Sequence, residues 1–351
     1  LTANESLHNK ARRLNASAAV LVSVSDADER RMSQRILLTR RMPKAAAEVL
    51  VKAGLDPEVI ETDEPAPRDD ILERARGCAG LITMLSDRID AKFLDAVGPS
   101  LRVVANYAVG FDNIDLEACK QRGVRVTNTP GVLTEATADL AWALILAAAR
   151  NVAEGDRVMR SGKWPGWAPT QLLGLELNGA TLGILGAGRI GTAVARRSIG
   201  FRMRVLYTDT RRNEELEREV NAERVELDRL IRESDVLSLH IPMTAEVHHL
   251  IGVRQLQAMK PTAILVNTAR GPIVNEGALV EALRTGQIAA AGLDVYENEP
   301  RLAPGLAELP NVILLPHLGS ATTATRSKMA AMAAENVVAV LSGREPPNPV
   351  V

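Results

Sequence analysis

The chain has 351 residues, 46% hydrophobic and 24% charged, with a formal net charge of −1. That length allows two domains with cores of their own, and the near-neutral charge gives no basis for nucleic acid or an anionic membrane as partner. Two cysteines, Cys78 and Cys119, exclude a disulfide framework and fit a reducing, cytoplasmic setting as small buried hydrophobes.

Residues 1–33 mix Arg12, Arg13, Arg30 and Arg31 with Glu5, Asp26, Asp28 and Glu29. The stretch 16–24 is only weakly like a signal-peptide core, and the acids argue against a transit peptide. An extension, either a disordered tail or a cloning remnant, is expected there. From residue 34 short apolar runs alternate with helical patterns. Strands are predicted at 35–39, 80–83, 101–105 and 124–127. Pro43 opens a helix through Ala45, Val49 and Leu50 that Gly54 ends, and residues 112–121 read as another helix. Such alternation predicts a parallel sheet with crossover helices. Asn128-Thr129-Pro130-Gly131 is a turn cluster and an expected hinge. One long helix is predicted from Thr134, capped there with the help of Thr137, to Arg160, and an irregular loop over 162–169. The apolar run 140–149 within that helix is too short to span a bilayer.

The apolar run 180–185 leads into Gly186-Ala187-Gly188-Arg189-Ile190-Gly191. A strand entering a three-glycine turn that opens a helix is the dinucleotide-binding arrangement. The first glycine allows the tight turn, the second the approach of a pyrophosphate, the third close helix–strand packing. Unpaired N–H groups at the helix start favour the phosphates. A second predicted strand, 203–207, ends just before Asp209, which lies 18 residues after Gly191 and suits the adenosine ribose hydroxyls. Further strands are predicted at 236–240, 263–267, 290–294 and 312–315. The last helix, 321–342, carries an apolar stripe through Met329, Met332, Val337 and Val340. Having no sheet of its own, it is expected to return to the first domain. No Cys/His cluster has metal-site spacing, and the adjacent His248 and His249 diverge on a helix or a strand. The predicted fold is α/β, with two lobes each built on a parallel sheet. Residues 34–128 with 319–351 form a flavodoxin-like substrate lobe, and residues 129–318 form a Rossmann-type dinucleotide lobe, with ligands in a cleft between lobes.

Three polar residues follow consecutive predicted strands: Arg270 in Asn267-Thr268-Ala269-Arg270-Gly271, Glu299 before Pro300, and His317 in Pro316-His317-Leu318-Gly319-Ser320. Loops at the C-terminal edge of a parallel sheet are where ligands bind. A histidine suits proton donation to a carbonyl accepting hydride. A carboxylate beside it favours the imidazolium and fixes the ring, and an arginine clamps a substrate carboxylate. Together they describe reduction of a 2-oxo acid. Any one of them alone would be read as an ordinary surface or loop residue.

These motifs, with Val109-Gly110-Phe111-Asp112-Asn113-Ile114-Asp115, Asn128-Thr129-Pro130-Gly131 and Gly292-Leu293-Asp294-Val295, resemble the D-isomer-specific 2-hydroxyacid dehydrogenases from about Ile36 to Gly343. Within that family the chain is most similar to the glyoxylate/hydroxypyruvate reductase branch. The resemblance implies that Arg270 binds the substrate carboxylate and carbonyl, His317 is the acid/base and Glu299 supports it. It assigns the Val109 and Gly110 amides to the substrate carboxylate, Ala187, Gly188, Arg189 and Ile190 to the pyrophosphate, and Asp294 to the nicotinamide carboxamide. Thr210, Arg211, Thr268, Ala269 and Gly319 complete the implied cofactor contacts. NAD or NADP is the implied cofactor: Asp209 leans towards NAD by repelling a 2′-phosphate, whereas Arg211 and Arg212 would attract one. Trp164 and Trp167 match a tryptophan pair that in this branch reaches the partner subunit's substrate region, or else are interface or core aromatics. A homodimer through the long helix is implied. The 3-phosphoglycerate and D-lactate dehydrogenases of the family, and dinucleotide-sensing corepressors built on the same fold, are the competing readings.

Overall fold

The computed structural model describes residues 35–351, so the expected extension at 1–33 lies outside the described residues. Backbone contacts divide the chain into two compact units. One runs to Pro130 and takes in Arg326–Val351; the other is Gly131–Thr325.

In the first unit, β1 (Arg35–Leu38), β2 (Asp56–Val59), β3 (Gly80–Thr83), β4 (Val103–Asn106) and β5 (Arg125–Thr127) form an all-parallel sheet in the order β2-β1-β3-β4-β5. That is the flavodoxin-like order. Every residue of β3 and β4 is buried, as a sheet covered on both faces requires. Alternation along β1 sorts the two cores. Ile36 and Leu38 face Ala330, Ala333, Ala334 and Val337 of the helix Thr323–Leu341. Leu37 faces the side of Ile71, Phe93, Leu94 and Cys119. The last residues also join this unit: Val126 donates its amide to Val351 at 3.0 Å and accepts that of Val350 at 2.8 Å. The reading of the sequence placed no strand at β2, which contains Pro57. The strand lies at the sheet edge, where a missing donor is tolerated.

In the second unit, β6 (Thr181–Leu185), β7 (Arg204–Thr208), β8 (Glu223–Arg224), β9 (Val236–Leu239), β10 (Ile264–Asn267), β11 (Ala290–Leu293) and β12 (Val312–Leu314) pair in the order β12-β11-β10-β9-β6-β7-β8, again all parallel. The order reverses between β6 and β9, and such a switch point opens a crevice beyond the strand ends. The helix Thr134–Ala149 packs Ala141, Trp142, Leu144 and Ile145 into this unit's core. A Cβ on Gly292 of β11 would stand 2.9 Å from Leu144 Cβ, so the glycine sets how closely that helix lies on the sheet. Trp142 stacks on Phe201 with ring centroids 4.7 Å apart and donates Nε1–H to the Val194 carbonyl at 2.9 Å.

Two expectations about this helix fail. It does not run unbroken to Arg160: Asn151, at φ 51, separates it from a second helix, Val152–Arg160. Asparagine tolerates the left-handed conformation that ends a helix, and its Nδ2 donates to the Leu172 and Leu173 carbonyls at 3.3 and 3.1 Å. Nor do threonines cap its start. Leu133 holds that position without a side-chain bond, and Thr137 donates its hydroxyl to the Gly319 carbonyl at 3.1 Å.

Candidate active site

The glycine turn follows β6. Gly186 has φ 96, and a Cβ there would meet the His240 carbonyl 2.8 Å away; one on Gly191 would stand 2.0 Å from the Gly186 oxygen. The protein itself demands both glycines. Around Gly188 nothing lies within 4 Å of where a Cβ would be, so the fold leaves room there for a ligand. The helix Arg189–Arg197 starts at Gly188 without a side-chain cap, and its first amides suit a diphosphate. Asp209, just past β7, accepts the Ala187 amide at 2.8 Å through Oδ2 and the Arg211 amide at 3.1 Å through Oδ1. Ala187 thus gives its amide to Asp209, which leaves the Gly188, Arg189 and Ile190 amides as the candidates for a diphosphate. Of the two following arginines, Arg212 is bound to Glu217 by bonds of 2.7–3.1 Å. Asn213 was not singled out from the sequence. Its Nδ2 donates to the Ala187 carbonyl at 2.8 Å and to Thr192 Oγ1 at 3.0 Å, while its Oδ1 caps the next helix on the Leu216 amide. An asparagine ahead of Glu214 and Glu215 is a legible capping signal.

The three candidate catalytic residues follow β10, β11 and β12. Asn267, buried at the end of β10, bends the first loop back: Oδ1 accepts the Ala269 amide at 3.0 Å and Nδ2 donates to the Arg270 carbonyl at 2.9 Å. Gly271 then lies against the second loop so closely that a Cβ would fall 1.8 Å from the Tyr296 carbonyl carbon. Arg270 is thereby held where its charge acts on Glu299. Glu299 accepts the Tyr296 amide at 3.0 Å through Oε1, and its Oε2 lies 3.0 Å from His317 Nδ1. Burial alone would raise the Glu299 pKa. The hydrogen bond and charge of His317, the Tyr296 amide and Arg270 outweigh it and hold the carboxyl below the ordinary range. Facing an anion, Nδ1 of His317 carries the proton and Nε2 is left for a reacting group.

The His317 loop is tied from behind. Asp294, 1% exposed, accepts the Leu318 amide at 2.6 Å and the Gly319 amide at 2.8 Å. Burial raises its pKa against the pull of those amides and of His317. Asp294 therefore directs both oxygens to the loop carrying His317. The Tyr296 hydroxyl donates to the Leu315 carbonyl at 2.9 Å. Thr268 Oγ1 is buried without a partner among the described residues, an orphaned polar atom where a cofactor contact was expected.

Arg270, Glu299, His317, Asp294, Thr268, Ala269 and Gly319 thus gather past three neighbouring strands of one sheet, with the glycine turn and Asp209 past β6 and β7. With the room at Gly188 and the orphan on Thr268, this donor set fits a dinucleotide. Val109 and Gly110 belong to the other unit, in the loop after β4. Asn128 Nδ2 donates to the Val109 carbonyl at 2.7 Å and Asn106 Nδ2 to that of Gly110 at 2.8 Å, which fixes both peptide planes. Trp167 is 81% exposed, and Trp164 donates to Gln171 at 3.2 Å.

Known proteins resemble the chain over most of its length. The family model described as D-isomer specific 2-hydroxyacid dehydrogenase, NAD binding domain, matches residues 142–319. The glyoxylate reductase of Aeropyrum pernix is 53% identical over 320 residues, covering 90% of this chain and 95% of that one. A crystal structure of a Thermus thermophilus protein superposes with a TM-score of 0.85 at 50% identity, covering 90% of this chain and all (100%) of that one. The NADPH-dependent glyoxylate/hydroxypyruvate reductase of Sinorhizobium meliloti, solved with NADP and malonate, superposes with a TM-score of 0.78 at 35% identity, covering 90% and 96%.

Proposed function

The chain belongs to the D-isomer specific 2-hydroxyacid dehydrogenases, and from that premise we propose that it reduces a small 2-oxo acid, glyoxylate or hydroxypyruvate, to the 2-hydroxy acid. The observation that carries this reading is the 3.0 Å pairing of Glu299 with His317 Nδ1, beside Arg270 and past the ends of β10, β11 and β12. When bound, a nicotinamide dinucleotide supplies the hydride. His317 gives the proton from Nε2 to the carbonyl oxygen, and Glu299 keeps the ring turned and its charged form favoured. Arg270 clamps the substrate carboxylate and polarises the carbonyl. We assign substrate binding to the first unit through the Val109 and Gly110 amides, and the dinucleotide to the second.

NADH is the favoured cofactor. Asp209 presents a carboxylate near the ribose site, and Arg212 is committed to Glu217; Arg211 is the counterweight that lets NADPH compete. The enzyme is a homodimer in this reading, supported by the apolar side chains exposed along residues 146–173: Leu146, Val152, Met159, Trp167, Leu172 and Leu173. Among the described residues no helix is long and apolar enough to cross a membrane. A cytoplasmic setting is supported by two free, buried cysteines.

The test is turnover of glyoxylate, hydroxypyruvate, pyruvate and 3-phosphohydroxypyruvate, each with NADH and with NADPH. Highest kcat/KM on glyoxylate or hydroxypyruvate with NADH is expected. Highest kcat/KM on the phosphorylated acid or on pyruvate would move the chain to another branch, and no turnover of any would refute the enzymatic reading.

A further inference from the structure

Behind the His317–Glu299 pair stand two carboxylates that the chemistry does not use. Glu276 opens the nine-residue helix Glu276–Arg284 and is only 4% exposed. Its Oε1 accepts the Glu297 amide at 2.8 Å, and Glu297 Oε1 accepts the Glu276 amide at 2.8 Å. Charge at a helix start accounts for an acid at that position. It accounts for neither the burial nor the reciprocal bonds.

His249 faces Glu297 from a second side. Asn275 Oδ1 caps the helix on the Ala278 amide at 2.8 Å, which turns its Nδ2 to His249 Nδ1 at 3.2 Å. In the neutral ring Nδ1 therefore accepts, and the N–H sits on Nε2. That atom stands 3.0 Å from Glu297 Oε1, off the line of a well-formed bond. The clasp thus lies between two loops that matter. Arg270 is six positions before Glu276 and Glu299 two after Glu297. Between the same loops, Gly271 lies flush on Tyr296 and Glu297.

We infer that Glu276 is a positioning residue for the reaction: its side chain, bonded to the Glu297 amide, sets the loop that carries Glu299 and through it the aim of His317 relative to Arg270. The inference rests on the catalytic roles proposed for those three. It requires an acceptor at Glu276 Oε1, not a charge. Burial pushes the Glu276 pKa up against the Glu297 and Ala303 amides that hold it down, and a glutamine keeps the one acceptor that the Glu297 amide needs.

The experiment compares full-length wild type, E276A, E276Q and H317A, with glyoxylate as substrate, cofactor Kd by fluorescence titration and folding by thermal melt. E276A is expected to lose ~10- to 100-fold in kcat, with KM and cofactor Kd kept within about twofold, because a loosened catalytic group loses rate rather than binding. E276Q should recover most of that rate. A wild-type kcat in E276A, a change confined to KM, or an E276Q as impaired as E276A overturns the inference and leaves the catalytic reading standing. A wild-type kcat in H317A overturns that reading itself. Should E276A fail to fold, Glu276→Asp, one methylene too short for the clasp, carries the same expectation.

Discussion

His317 is fixed by what stands on either side of it. The Glu299 carboxylate occupies Nδ1 at 3.0 Å, and Asp294 anchors the two amides that follow the ring. His317→Ala is expected to lower kcat by ~10²- to 10⁴-fold with cofactor affinity kept, read by steady-state kinetics and fluorescence titration. Arg270→Ala should raise KM for the 2-oxo acid and lower kcat as well, since a clamp that also polarises acts in both states. Glu299 makes a separate prediction. Its carboxyl titrates below the ordinary value of 4.5 in the folded chain. A depressed native pKa adds stability that is complete above the unfolded value and is lost as pH falls through the native one. Glu299→Gln should therefore flatten part of the fall in Tm below that pH; an unchanged Tm–pH curve would contradict the pairing. That these three side chains gather at one sheet edge was legible in the sequence, because each follows a strand of one parallel sheet. The second task of Asp294 was not legible. A carboxylate bonding main-chain amides 24 residues away leaves no periodicity to read.

Elements announce themselves by period and lose that voice when short. β6, β9, β10 and β11 are buried runs bounded by turns, and the reading of the sequence finds them all. β8 has two residues and β2 opens Asp56-Pro57, so neither offers a pattern to count. The break at Asn151 was missed for a related reason. Apolar residues continue on both sides of it, and only a φ of 51 ends the first helix. Asn151→Val should cost about 1–2 kcal/mol by forcing a β-branched residue into the left-handed region. Asn151→Gly, which keeps the conformation and loses the bonds to Leu172 and Leu173, should cost less. Thermal melts of the two variants decide it: equal losses would place the stability in the side-chain bonds.

At the scale of the whole molecule, sheet order was foreseeable in kind, since alternating strands and helices have few parallel solutions. The turn cluster 128–131 and a final helix with no sheet to join were the signals for where the chain changes unit; backbone contacts put the divisions after Pro130 and after Thr325. The exposed apolar side chains from Leu146 to Leu173 belong to this scale too. Sedimentation velocity should give a homodimer, and the double variant Trp167→Glu with Leu173→Glu, both more than two-thirds exposed (81% and 72%), should shift it towards monomer while the fold stands. A monomeric wild type would assign that surface elsewhere.

The manner in which the first unit is finished has a consequence for biosynthesis. Chains leave the ribosome N-terminus first, and domains generally fold as they emerge. Here Ile36, Leu38, Ile82, Val103 and Ala105 wait for Ala330, Ala333, Ala334 and Val337, which follow the whole of Gly131–Thr325. Gly131–Thr325 has all its strands in hand before that point. The later-born unit can therefore settle first, while the earlier-born one keeps an oily face uncovered until residues 330–337 have emerged, an interval in which a nascent-chain chaperone has something to hold.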